Sequence, residues 1–244
     1  IPIKLNPDYN IIATDFDVSE DGYNFPNYGK IIVIPNLIEI GGRCYPMSET
    51  SALYFIGAIG LPKDVKSVYT MQEEKAKKVI DSYFWAHFLD NLKIGMHVGL
   101  DPINEQNEYQ KLKDNLTKGE PMMLIMAKPT VIPGVHAYIH AVLAYKIIEI
   151  GDTAYILIYE NEIPYSITNF PIAFPCAVFN MTSGEFNYAD SFTKFVVQKP
   201  NPYPKPDTTT LAVECPVNAT ITDQYGRIIA DNGTNEIPNA SMLI

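Results

Sequence analysis

Two hydrophobic periods divide this chain. From Ser48 to Ile56 the residues are largely apolar and read as a helix entered through Pro46 in its first turn, where a missing N–H costs nothing. A second helix is expected over about 71–92, with Val79, Ile80, Tyr83, Phe84, Phe88, Leu89 and Leu92 on one stripe and Glu73, Glu74, Lys75, Lys77, Lys78 and Asp81 on the other. Trp85 and His87 lie within it as core residues. A third, about 104–116, buries Tyr109, Leu112 and Leu116 and stops near Gly119. His97 falls in a glycine-rich stretch, Gly95 to Gly99, that reads as a loop.

From Pro121 the period becomes extended. Strands are expected over 122–126, 137–150 and 153–159, the last two joined by a Gly151-Asp152 turn, with further short strands over 172–177 and 192–198. Helices first and an antiparallel sheet second make the fold class α+β. Residues 1–43 form a lead-in wrapping the first helix, with one strand at 30–34 and a loop, Asp21 to Gly29, pinned by aromatic rings.

Pro200, Pro202, Pro204 and Pro206 make 199–207 an extended spacer. It separates a main domain, 1–198, from a small β module or truncated sandwich, 208–244, in which Val217, Ala219 and Ile221 alternate and 223–227 turns the chain into Ile228-Ile229.

Composition narrows the partners. Of 244 residues 47% are hydrophobic and 19% charged, enough for a sizeable core, and no apolar run is long enough to insert in a membrane. A net charge of -10 argues against nucleic acid and anionic lipid. Sequons at Asn115, Asn180, Asn218, Asn232 and Asn239 point to an extracellular or cell-surface location.

The candidate chemistry centres on Gly41-Gly42-Arg43-Cys44-Tyr45-Pro46-Met47-Ser48. A cysteine at a helix start faces unpaired N–H groups and the positive end of the helix dipole, which favours thiolate. A cysteine nucleophile also needs a base and a group to orient that base. His140, inside the apolar block 135–143, is the first choice, and His136 the second. If Gly151-Asp152 is a two-residue turn, His140 faces Ile163 with Asn161 diagonal to it; one bulge would bring Glu160 onto its face instead. Cys176 and Cys215 are candidates for a disulfide, leaving Cys44 free. No metal-binding motif is present and no cofactor is implied.

In this order the residues resemble the papain-like cysteine peptidases, and are similar to secreted bacterial and archaeal C39-like domains. Those domains pair a D-G-[FY]-x-F-x-N-[FY]-G segment with G-G-x-C-x-G-M-S, then L-x-x-G-x-P, G-x-H-A-V and Y-D-N-N-x-P. Here stand Asp21 to Gly29, Gly41 to Ser48, Leu116 to Pro121, His140-Ala141-Val142 and Tyr159-Glu160-Asn161-Glu162-Ile163-Pro164. The resemblance implies a papain-like fold, with Cys44 as nucleophile, His140 as base, Glu160 or Asn161 as the orienting group, and a polypeptide substrate. Pro46 replaces a glycine, and Glu160 is one methylene longer than the pattern's aspartate. The glutamine expected six positions before the cysteine is Ile38, so Asn36 and Asn27 become the oxyanion candidates. An inactive surface or adhesion module on the same fold, using its 16 tyrosines, is the alternative.

Overall fold

The computed structural model describes residues 9–29, 31–34, 38–40, 42–129, 136–163, 175–189, 191–202, 220–222 and 228–230. Its elements run β1 (Tyr9–Ala13), α1 (Val18–Asp21), β2 (Ile31–Ile34), β3 (Ile38–Ile40), α2 (Cys44–Phe55), α3 (Glu73–Ala86), α4 (Phe88–Leu100) and α5 (Glu105–Leu116). There follow β4 (Met122–Pro129), β5 (His136–Ile150), β6 (Thr153–Tyr159), β7 (Cys176–Asn180), β8 (Phe186–Asn187), β9 (Lys194–Gln198), β10 (Thr220–Thr222) and β11 (Ile228–Ala230). The class is α+β: helices cover a curled, mainly antiparallel sheet.

The sheet is organised by β5. Its first half pairs with β4 on one side and, in parallel, with β3 on the other. Its second half pairs with β1 and β6. Beyond these the order continues through β7 and β8, and β9 flanks β4. Both faces of the central strands are covered, so β4 is apolar and buried from Met122 to Ala127 rather than alternating. One core joins Leu124, Met126, Val142 and Ile156 to Tyr109, Leu112 and Leu116 of α5. The other joins Met123, Ile125, Ala141 and Leu143 to Cys44, Tyr45 and Ala52 of α2.

Ten consecutive residues of α2, Cys44 to Leu53, are buried. A helix enclosed on every side must satisfy its polar side chains internally. Ser48 Oγ donates to the Ala141 carbonyl (3.2 Å), Thr50 Oγ1 to the Pro46 carbonyl (2.6 Å) and Ser51 Oγ to the Asp21 carbonyl (2.5 Å). Glu49 pairs with His87 Nδ1 (2.9 Å) and also accepts the Asn201 N–H (3.1 Å).

That pairing explains one correction. The single helix expected over 71–92 is two helices: His87 ends α3 and begins α4 with a backbone at φ -109°, ψ 9°, placing its ring on Glu49. The expected loop around His97 is also wrong. Gly95 and Gly99 lie within α4, where Gly95 packs against Ile139, and His97 pairs with Asp101 on the exposed face (2.8 Å). In the lead-in, β1, α1 and β3 add to the one strand expected there, while Tyr23 and Phe25 are buried as the pinned loop requires.

Gly42 fixes the entry to α2. It has φ +61°, and a Cβ there would lie 2.3 Å from the Gly29 carbonyl oxygen and 2.7 Å from that of Tyr28. Gly42→Ala is therefore expected to cost at least about 1–2 kcal/mol in left-handed strain alone, with the backbone clash added to it; a denaturant titration should show a lower midpoint at unchanged slope.

The chain divides into units Ile1–Asp207 and Thr208–Ile244. In the second, β10 and β11 pair antiparallel, Thr220 opposite Ala230 and Thr222 opposite Ile228.

Candidate active site

Cys44 is the first residue of α2, in the turn whose N–H groups have no intrahelical acceptor. The residue before it is clamped. Arg43 donates its N–H to Asn27 Oδ1 (2.7 Å) and the Tyr28 carbonyl (3.1 Å), its Nε pairs with Asp81 (2.7 Å), and its guanidinium stacks 3.9 Å from the Phe84 ring centroid. Asn27 thus spends its side-chain oxygen holding the turn that presents the cysteine. Asn36, the other oxyanion candidate, lies outside the described residues. Ile38 is in β3.

His140 comes from β5, near enough to Cys44 for the cysteine to help raise the pKa of the ring. Nε2 lies 2.8 Å from Glu160 Oε1. A carboxylate can only accept, so Nε2 carries the proton in that bond and Nδ1 is left for the sulfur. Nδ1 makes no hydrogen bond in this structure.

The orienting acid is placed by a bulge. Along β5 and β6, Ile150 faces Thr153 and Lys146 faces Leu157, but after the irregularity at Tyr145 Ala144 faces Ile158 and Leu143 faces Tyr159. The parity changes, as one bulge requires, and Glu160 comes to the His140 face. Glu160 also accepts the Glu162 N–H (3.0 Å) and the Tyr188 hydroxyl.

Asn161 makes none of its hydrogen bonds to His140. Its Nδ2 donates to the Cys44 carbonyl (3.0 Å), Ser48 Oγ (2.9 Å) and the Ala141 carbonyl (2.8 Å). Two of those three are carbonyls, which fixes the amide's orientation. Asn161 thereby ties the nucleophile helix to the histidine strand.

Burial shapes the proton balance. For His140 the largest effect is desolvation, which opposes the charged ring, yet hydrogen bonding and charge from Cys44 and Glu160 outweigh it and push the pKa up from 6.5 to about 10. For Glu160 desolvation again works first, raising the pKa, but His140, Tyr188 and the Glu162 N–H bring it below 4.5. The signs give a pH window. A histidine with a raised pKa stabilises the fold fully below pH 6.5 and loses that contribution as pH rises through about 10. An acid with a lowered pKa contributes above 4.5 and loses it as pH falls further. The pair's contribution is thus greatest between about pH 4.5 and 6.5, and the stability difference between wild type and a His140→Gln, Glu160→Gln double variant should peak there in melting curves.

Tyr188, Ser48 and Glu162 complete the site and were not singled out from sequence. Only Ser48 had a readable signal, four residues after Cys44 on the same helical face. His136 begins β5; its side chain lies outside the described residues. Cys176 is a free thiol whose pKa burial pushes up, and Cys215, the partner expected for it, lies outside the described residues. His140, Glu160 and Glu162 offer ligand atoms within 4.8 Å of one another. Nε2 and Glu160 already satisfy each other, so a cation would have to break that bond.

The site is closed. Cys44 and His140 are each 2% exposed, and a cavity of about 260 Å³ lies instead beside Tyr45, His87, Lys93 and Asn201. Among the described residues no helix is long and apolar enough to cross a membrane. No protein-family model matches the chain, and comparisons with curated proteins and with solved structures find no match.

Proposed function

We propose that this protein is a papain-like cysteine peptidase, or a related acyl transferase, working outside the cell or at its surface. The supporting observation is the grouping of buried Cys44, His140 and Glu160 with half-buried Tyr188, Glu160 being hydrogen-bonded to both His140 and Tyr188, assembled from a helix start, strand β5 and two later segments. Each link has a task. The imidazole takes the thiol proton, and the Cys44 sulfur adds to the substrate carbonyl carbon. As the C–N bond breaks, the imidazolium gives its proton to the leaving amine, and a thioester remains. Water, or an amine in acyl transfer, then attacks with His140 as base, restoring the thiol. Glu160 holds the ring's tautomer and stabilises its positive form throughout. N–H groups of the first turn of α2 face the developing oxyanion.

Turnover of an unbiased peptide mixture, with Cys44→Ala as control, tests this. Cleavage lost in the variant supports the reading, and equal cleavage or none in the folded wild type sinks it. The burial of Cys44 and His140 favours a second reading, a surface module that keeps the fold without turnover. A substrate must displace neighbouring residues to reach the sulfur. In the module none ever does.

A further inference from the structure

The same bulge that brings Glu160 to His140 sets the next carboxylate beside it. Glu162 Oε1 lies 3.9 Å from His140 Nδ1, its side chain 47% exposed where His140 is almost fully enclosed. It is also 3.5 Å from the Tyr138 hydroxyl, which can donate to it. None of the ion pairs of the described residues gives it a lysine or arginine; Lys128, on the neighbouring strand, sits instead over the rings of Tyr138 and Phe192. The Y-D-N-N-x-P pattern that this segment resembles has an uncharged amide here. This chain therefore carries a negative charge at the solvent edge of its base that tautomer control by Glu160 does not need.

We propose that Glu162 selects for positive charge on the leaving-group side of the scissile bond, so that the preferred substrates are polypeptides with Lys or Arg immediately after the cleaved amide. The proposal rests on the peptidase reading. Once His140 has taken the thiol proton, the carboxylate faces a positively charged imidazole. When the thioester forms, the C–N bond breaks and the ring proton leaves on the amine nitrogen, so the imidazole becomes neutral and the carboxylate loses its counter-charge. A basic side chain on the leaving segment restores it at that moment, which lowers the barrier rather than only tightening binding. An acidic one there is repelled.

Two arms test it. Peptide pairs differing only in the residue after the cleaved bond, Lys against Glu, should differ about tenfold or more in kcat/KM for two charges at this range. The ratio should fall towards one in Glu162→Gln and invert in Glu162→Lys. A wild-type ratio near one, or one that Glu162→Gln leaves unchanged, overturns the proposal. The second arm needs no peptidase activity: Cys44 is modified with a cationic aminoethyl and an anionic sulfonatoethyl methanethiosulfonate, read by mass. The cation-to-anion rate ratio should drop about fivefold in Glu162→Gln, and by less at high salt. A drop without any peptide cleavage upholds the charge selection and sinks the peptidase; an unchanged ratio overturns the charge selection even where peptides are cleaved.

Discussion

Glu160→Gln is expected to reduce amide hydrolysis by about a hundredfold or more, and to lower stability by roughly 2–4 kcal/mol near neutral pH. The carboxylate is 5% exposed and accepts from three donors: the His140 ring, the Tyr188 hydroxyl and the Glu162 N–H. The glutamine amide supplies one acceptor oxygen and an NH₂ group. Where the NH₂ meets the ring N–H or the Glu162 N–H, donor faces donor, and where it meets Tyr188 the hydroxyl must turn from donating to accepting. The ring loses both its fixed tautomer and the negative charge that favours its cationic form, so the His140 pKa falls from about 10. A ¹H–¹³C titration of the ring checks this separately from turnover. Tyr188→Phe removes a single donor and should cost far less, about 1 kcal/mol. Equal effects of the two substitutions would mean that Glu160 acts only as packing.

Asn161→Ala is expected to act mainly on stability, by about 3–5 kcal/mol. It removes the donor shared by the Cys44 and Ala141 carbonyls and Ser48 Oγ, leaving only the Ser48 hydroxyl bond to the Ala141 carbonyl, and opens a void between α2 and β5. For a domain of this size that corresponds to a fall in Tm on the order of 10 °C. The His140 titration should stay close to wild type, since Asn161 is not among the groups that shift it. Asn161→Asp should be worse, because an acceptor would then face three acceptors. These two variants separate the tasks of adjacent residues, Glu160 governing the proton and Asn161 the joint between helix and strand.

Much of this architecture was readable because local chemistry and burial agree. Asn104 caps α5 through Asn107, and the Tyr109, Leu112 and Leu116 stripe lies in the core as its spacing requires. Gly151-Asp152 turns β5 into β6 with Ile150 opposite Thr153. The pinned loop from Asp21 to Gly29 follows from its rings. What was not readable depends on tertiary pairing. Nothing in Ala144-Tyr145-Lys146 announces a bulge, yet that irregularity decides between Glu160 and Asn161 as the partner of His140. The break at His87 is set by Glu49, far away in sequence, and helix α4 forms across two glycines because Gly95 must pack against Ile139. Tyr188 follows β8 in a segment with no periodic signal, and only the folded chain puts its hydroxyl on Glu160. Cys44 itself was legible from its place before an apolar helix; its near-complete burial was not.

The central claim is that Cys44 is activated by His140, and the rate of its alkylation measures that directly. Iodoacetamide at about pH 6, with peptide mapping of Cys44, Cys176 and Cys215, should modify Cys44 first and much faster than an ordinary thiol, whose pKa is about 8.5. His140→Ala should abolish the advantage in a protein that still folds. Modification of Cys44 at or below the rate of an ordinary thiol, or a rate indifferent to His140, would contradict the account.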